Sequence, residues 1–378
     1  MRLRLGIGLA PIAVAAAIAA GNASAASSVV GHVYVNDNTA GANTIAAFDR
    51  HADGTLSPVD GSPFPAGGAG TGAGIGSQGA LQITSDGKYL LAVDAGSNQI
   101  SVLRIGSDGG LKPVGGGPVS SGGNEPVSIA VHDDLVYVAN AGDGGSNYTG
   151  FDLNPGGHLR PLAGSTVALP DGSTPGDILF NGEGTRVVGV RVGASLIDSF
   201  TVAGDGTLTA APGSPFAAQG PGPFGSEFRP TDPTELYVSN AHGGAGNGTV
   251  SAFSDGSDGT LTSIGASPFA DLQTAPCWVE ISHDGQFLFT VNTASNSISR
   301  YGIGSGGALS LIGSTTISTA HAGAEDARLA PDGGTLWVVD TGAAKLSAFG
   351  VDGGNLTELP SSPTALPAGS APFGIVVT

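Results

Sequence analysis

Six side chains at matching places in a repeated motif would carry chemistry if brought together. They are the carboxylates of Asp177, Glu227, Glu280 and Asp326, the guanidinium of Arg328 and the indole of Trp278. Each lies two or four residues into a short apolar segment that a proline usually introduces: Asp177 follows Pro175, Glu227 follows Pro223, and Trp278 and Glu280 follow Pro276. Gln82 takes the matching place in an earlier segment. A carboxylate beside a guanidinium is the minimum equipment for hydrolysing a carbonyl ester, the acid activating water and the cation steadying the oxyanion. Charge within apolar segments is costly unless paired or solvated. These positions therefore imply either a structural pair, such as Arg328 with Glu280, or a ligand site at Asp177, Glu227, Trp278 and Gln82.

The elements that position them follow from an internal repeat. Seven apolar segments end on a polar residue, among them Val33-Tyr34-Val35-Asn36, Tyr137-Val138-Ala139-Asn140, Phe289-Thr290-Val291-Asn292 and Trp337-Val338-Val339-Asp340. Val188-Gly189-Val190-Arg191 is the member that ends on Arg. Each leads to a second segment whose large apolar residue forms a column: Phe48, Leu103, Phe151, Phe200, Phe253, Tyr301 and Phe349, at intervals of 48 to 55 residues. A turn, clearest as Asp53-Gly54, Asp205-Gly206 and Asp258-Gly259, then leads to a leucine. Asp-Gly between alternating apolar runs signals a hairpin. With the proline-led segment at Pro126, Pro175, Pro223, Pro276 or Pro372, each repeat makes four short antiparallel strands. Seven repeats predict an all-β, seven-bladed β-propeller.

The first repeat begins at its second strand, His32 to Asn36, and residues 372–378 match the strand it lacks. The C-terminal segment is therefore expected to complete blade one and close the ring over residues 26–378, hiding its sheet edges. First strands line the channel of a propeller. If alternate side chains point into it, the second and fourth residues after each proline face the channel, and the six chemical side chains converge there with Gln82. The Asn and Asp ending the second strands would ring the same mouth, capping turns or touching a ligand. The Gly-rich connection from Ser62 to Ser77 reads as a flap over it or a solvated linker.

Composition agrees with many turns. Of 378 residues, 65 are Gly and 24 are Pro, and 40% are hydrophobic. That hydrophobic share argues against disorder, and so much Gly and Pro excludes a coiled coil or helical bundle. Arg2 and Arg4 precede an apolar run from Leu5 to Ala20 and the small residues Ala23-Ser24-Ala25, the pattern of a signal peptide over residues 1–25. A secreted or periplasmic protein is expected, without stable membrane insertion once the leader is removed. Its loss leaves 31 acidic residues against 11 basic ones, a surface that repels nucleic acid. With Cys277 alone, no intrachain disulfide forms. No Gly-x-Ser-x-Gly elbow or phosphate loop occurs, and the 7 histidines lack metal-ligand spacing, so neither metal nor cofactor is expected.

The seven repeats, strand ends such as Leu236-Tyr237-Val238-Ser239-Asn240, and pieces such as Ile281-Ser282-His283-Asp284-Gly285-Gln286-Phe287-Leu288 resemble the lactonase-family propellers, which include bacterial 6-phosphogluconolactonases and fungal carboxymuconate cyclases. The resemblance implies a lactone hydrolase with inward polar residues on neighbouring blades. Where active members carry Gly-Pro-Arg-His, this chain has Ala275-Pro276-Cys277-Trp278. Asp326 matches the family's acid position on the next blade, and Arg328 replaces a histidine.

Two functions follow. One is hydrolysis of a neutral lactone or ester, with Asp326 or Glu280 activating water and Arg328 stabilising the oxyanion. Because one cation faces four carboxylates, a neutral or cationic small ligand is expected over a phosphorylated one. The other is a non-catalytic scaffold that binds a glycan, peptide or protein partner. A third reading, a relative of surface proteins that carry Tyr-Val-Thr-Asn-like repeats, explains the strand ends without any active site. A closed ring predicts a monomer.

Overall fold

The first strand of each repeat is mostly buried because in the folded chain it is sandwiched between two neighbouring sheets. The computed structural model describes residues 27–378, so the leader expected over residues 1–25 lies outside the described residues. Seven antiparallel sheets are arranged around an axis, six of them built in sequence order from the inside out. Blade three is representative: Pro126–His132, Leu135–Asn140, Asn147–Leu153 and Leu159–Pro161, with Ile129 opposite Val138 and Val138 opposite Thr149. The inner strands of the other blades are Leu81–Ile83, Pro175–Phe180, Pro223–Arg229, Pro276–Ile281 and Ala324–Leu329 in blades two and four to seven. In blade one the inner strand is Ile375–Val377, which pairs with Val33–Val35 although 340 residues separate them in the chain.

The four-strand unit carries one addition. In six blades a two-residue strand, such as Phe64–Pro65 or Val167–Ala168, pairs back onto the third strand. Blade six instead has one continuous outer strand, Leu309–Thr316.

The column of large apolar residues marks the cores between blades. Phe48 packs with Trp337, Val339, Ile375 and Val377 between blades seven and one, and Phe349 with Phe289, Trp278 and Leu336 between six and seven. Tyrosines on the second strands extend the contact, donating across to a hairpin carbonyl of the next blade: Tyr34 to Gly109 at 3.0 Å, Tyr137 to Gly206 at 2.7 Å and Tyr237 to Gly307 at 3.0 Å. Gly206 has φ +83°, so the residue must be one that enters the left-handed region without strain.

The polar residues that end the second strands do not ring the channel mouth. They are buried and hold the corner between second and third strands: Asp94 accepts from Ser101 at 2.5 Å and Asn43 at 2.8 Å, and Asp340 accepts from Ser347 at 2.7 Å. Arg191, the exception to the column, is matched by Asp198, which accepts from it at 2.5 and 2.6 Å and from the Tyr148 hydroxyl at 3.0 Å. A larger cation thus replaces the small amide because the facing strand supplies its carboxylate.

Candidate functional site

Radial packing changes the expected direction of the inner-strand side chains. A sheet seen edge-on from the axis presents its faces to its two neighbours, so alternate residues point to the following and the preceding blade. Trp278 and Glu280 point toward blade seven, where Trp278 packs among Ala324 and Ala327 and Glu280 accepts from the Leu329 amide at 2.8 Å. Val279 and Ile281 pack the opposite way, against Tyr237 and Val250 of blade five. Only the backbone edge and the ends of longer side chains reach the channel.

This arrangement gives the carboxylates a structural duty. The inner edge of each first strand carries N–H groups with no strand beyond it, and leaving a buried donor unmade costs about 1–3 kcal/mol. The preceding blade supplies the acceptors. Asp177 accepts the Ser226 amide at 3.0 Å and the Ser226 hydroxyl at 2.7 Å, and its other oxygen takes the Ser128 hydroxyl at 3.2 Å. The Ser128 hydroxyl oxygen accepts from the Ile178 amide at 3.1 Å. Glu227 reaches the Ile281 amide; Asp326 lies near the Gly374 amide of blade one, its two oxygens buried without a hydrogen bond of good geometry.

The channel holds a cavity of about 270 Å³ whose polar lining is Gln78, Gln82, Asp177, Ser226, Glu227 and Arg328. His132, Phe180 and Asn181 rim it, so it opens on the face where the inner strands finish, the turn face. Of the sequence-predicted residues, the structure brings Arg328, Glu227, Asp177 and Gln82 to this cavity. Trp278 is fully buried between blades six and seven and offers no surface to a ligand. Asp326, 1% exposed, is enclosed in the wall. Glu280 stands behind Arg328, taking its guanidinium at 3.2 Å. Asp326 and Glu280, expected to activate water, do not line the cavity; Asp177 and Glu227 are the carboxyls that do, and the buried Oε2 of Glu227 has no hydrogen-bond partner.

The electrostatics separate these groups. Burial, with Glu280's charge adding to it against Arg328, pushes the Glu227 carboxyl well above the usual range. Burial likewise pushes Asp326 well above it and raises Glu280, the latter opposed by Arg328. Asp177 rises to about 7, burial outweighing its bonds from Ser226 and Ser128. Burial disfavours the Arg328 charge, yet the surrounding carboxyls, Glu280 foremost, hold its pKa above the ordinary value. Glu227 and Asp326 are thus the carboxyls most disposed to hold a proton, while Glu280 faces the Arg328 guanidinium that favours its charge.

Stability should follow these shifts. Burial lifts Asp37 and Asp340 to about 6 and Asp177 and Glu325 to about 7, above the unfolded values near 4. A raised carboxyl binds its proton more tightly in the folded state, so its contribution is full below pH 4 and lost as pH rises through 6–7. Carboxyls lowered on the surface, such as Asp86 at about 2, are ionised throughout that window. The melting temperature is expected to be higher at pH 5 than at pH 8.5. Calorimetry at both pH values checks this, and an equal or higher value at pH 8.5 contradicts it.

Sequence reasoning missed Gln78 and Ser226. Gln78 had a signal: it occupies in blade two the slot that Pro126, Pro175, Pro223 and Pro276 fill elsewhere. Ser226 carried none, because buried serines are common in strands; Ser128, the second residue after Pro126, fell at a position expected to face the channel and instead bonds Asp177 and the Ile178 amide. The connection from Ser62 to Ser77 is not a solvated flap. It contributes Phe64–Pro65 to blade one, and its end is buried at Ile75 and Ser77. Cys277 is buried, and burial pushes its thiol to about 12, which argues against a catalytic nucleophile while the site stays closed. A larger groove of about 530 Å³ lies between blades two and three, but it shares no lining residue with the channel cavity and its Lys88 is paired with Asp86 at 2.7 Å.

A family model described as lactonase, 7-bladed beta-propeller, matches residues 32–174 and 190–376. Solved structures share the fold at low identity. The periplasmic gluconolactonase of Pseudomonas aeruginosa superposes with a TM-score of 0.73 at 16% identity, over 92% of this chain and 99% of that one. A candidate 6-phosphogluconolactonase from Bacteroides uniformis gives 0.71 at 19%, and a protein from Lactobacillus plantarum 0.72 at 18%, each over 92% of this chain and 99% of the other. Among curated proteins none matches. Among the described residues no helix is long and apolar enough to cross a membrane.

Proposed function

This chain belongs to the lactonase family of seven-bladed β-propellers, and from that premise we propose that it hydrolyses a neutral lactone in the channel cavity. The observation that carries the reading is that Arg328 and Glu227, a carboxyl with one unpartnered oxygen, line the same cavity, open on the turn face, with no ion pair joining them. Glu280 engages Nη1 of Arg328, which leaves guanidinium N–H groups for a carbonyl oxygen. Ionised Glu227 takes a proton from water as the water oxygen bonds to the acyl carbon, and the oxyanion forms against Arg328. Collapse breaks the ring C–O bond, and the proton returns from Glu227 to the alkoxide. The product is the open hydroxy acid. General-base help of this kind contributes ~10²–10⁴-fold, and an oxyanion donor ~10²–10³-fold.

Glu227 must ionise to act, and its pKa lies well above the usual range. kcat/KM is therefore expected to rise with pH beyond the range of an ordinary carboxylate. A phosphorylated lactone is disfavoured because the one cation present is already matched by Glu280. The leader-like residues 1–25 support an exported protein, where unphosphorylated lactones are the available substrates. The second reading, binding without turnover, is favoured by the engagement of both oxygens of Asp177 and Glu280 in hydrogen bonds. The test is a panel of unphosphorylated and phosphorylated lactones offered to the purified protein. Hydrolysis of neutral members alone is the expected result. Saturable binding of intact lactone without hydrolysis would replace the catalytic reading with the scaffold.

A further inference from the structure

The channel is closed at one end by a segment of the chain itself. Residues 74–79 cross it on the face where inner strands begin, the connection face. Gly74 lies against the Phe373 ring and Gly76 against the Phe224 ring, on opposite sides of the axis. The Gln78 amide donates to the Gly176 carbonyl at 2.9 Å, and Gly79 accepts from the Ile129 amide at 2.9 Å, tying the crossing to blades three and four. The Gln78 side chain then reaches blades five and six. Its Nε2 donates to the carbonyls of Ser226 at 3.0 Å and Val279 at 3.3 Å, and its Oε1 accepts the Val279 amide at 3.3 Å.

Both ends of this contact are shaped for it. A Cβ on Gly225 would stand 2.1 Å from Gln78 Oε1, so the side chain fits only because residue 225 is glycine. Gly76 and Gly79 have φ +55° and +85°, conformations glycine takes without cost. Gln78 is 5% exposed, and its amide meets three backbone groups that no strand pairs. A proline at this position, as in five of the other blades, would make none of these contacts. A long amide here therefore replaces water that would otherwise fill the channel from the connection face.

We infer that Gln78 is the specificity-determining stopper of the channel: it makes the cavity blind, so that ligands enter only from the turn face and those longer than the cavity are excluded. The exclusion of long lactones rests on the reading of the cavity as a lactone site. The stopper itself does not, and two kinds of measurement keep the two apart. Cys277 lies in an apolar cluster with Phe224 at the closed end and reports on access there. Its reaction with a charged methanethiosulfonate reagent is expected to be at least tenfold faster in Gln78→Ala than in the unaltered protein. Gln78→Leu, which refills the volume without the hydrogen bonds, should react at the unaltered rate. An unaltered rate in Gln78→Ala overturns the stopper.

The second measurement uses a five-membered lactone without a side chain and the same ring bearing an eight-carbon acyl tail. Gln78→Ala should raise the ratio of tailed to untailed turnover at least tenfold, and an unchanged ratio overturns the exclusion. Should neither lactone turn over in any variant, the lactone reading fails while thiol labelling still decides the stopper. Should Gln78→Ala not fold, hydrogen exchange on the unaltered protein decides it. The Val279 amide is expected to exchange slowly, like those of the strand ladders, and exchange at the rate of an open loop contradicts closure.

Discussion

A chain shortened to end at residue 371 is expected to lose its cooperative melting transition. The segment removed includes Phe373, Ile375, Val376 and Val377, all buried. Ile375 and Val377 pack between blades seven and one and Val376 between blades one and two. Burying such side chains stabilises by about 1.5–3 kcal/mol each, so four of them approach the ~5–15 kcal/mol of a whole domain. Deletion also frees the inner edge of Val33–Val35 and removes the Thr378 carbonyl that accepts from His32 N at 3.2 Å and Arg50 Nη2 at 3.1 Å. Seven blades closed by a strand from the far end of the chain behave as one unit, because each core is shared by two sheets. Differential scanning calorimetry and solubility check the prediction. An unchanged transition would mean that the ring holds without its closing strand.

Replacing Arg328 by Met carries the second large effect, and it acts twice. The guanidinium is the cation beside Glu280, and removing one partner of a buried pair costs about 3–5 kcal/mol because the other charge is stranded. The loss should fall at the lower end, since Arg328 borders an open cavity while Glu280 keeps the Leu329 amide. Without the cation Glu280 titrates higher still, so the penalty grows as pH rises. Turnover of a neutral lactone should fall ~10²–10³-fold from loss of the oxyanion donor. Arg328→Met, Glu280→Gln together should recover stability without recovering turnover. That split separates the structural duty of the pair from its chemical one.

The propeller was legible because its signals are local and repeated. An apolar run ending on Asn, a large residue such as Phe151 in the next strand and an Asp-Gly turn each reflect one strand or one hairpin, and sevenfold repetition makes them plain. The direction of the inner side chains was not legible from alternation alone. Period two says that neighbours point oppositely, but not whether the two directions are channel and core or one blade and the next. Trp278 was misplaced by that ambiguity, and Asp326 and Glu280 were drawn to a mouth they do not reach. Asp177, Glu227, Gln82 and Arg328 reach the cavity, Glu227 and Arg328 because their side chains are long enough to bend round the strand edge. Gln78 escaped notice for a different reason. Its partners are backbone groups on blades five and six, some 150 to 200 residues away in sequence, and backbone acceptors leave no mark on residue identity.

The excess glycine between Ser62 and Ser77 has a physical explanation in part. Near its end the chain must pass between the Phe373 and Phe224 rings and turn into the channel, and Gly74 and Gly76 leave room for both. Earlier in the segment, Gly70 accepts a close approach from Asn38 and forms a bridge with Ala40. Composition that resembled a linker instead serves contact.

The measurement that tests the central claim most directly is the pH dependence of kcat/KM for the best neutral lactone, compared between the unaltered protein and Glu227→Gln. If Glu227 activates water in the channel cavity, the unaltered protein shows activity that climbs above the range of ordinary carboxylates. Glu227→Gln then loses ~10²–10⁴-fold, with no climb remaining and with its melting temperature little changed. Equal turnover and the same pH profile in both proteins would place the chemistry elsewhere on the ring.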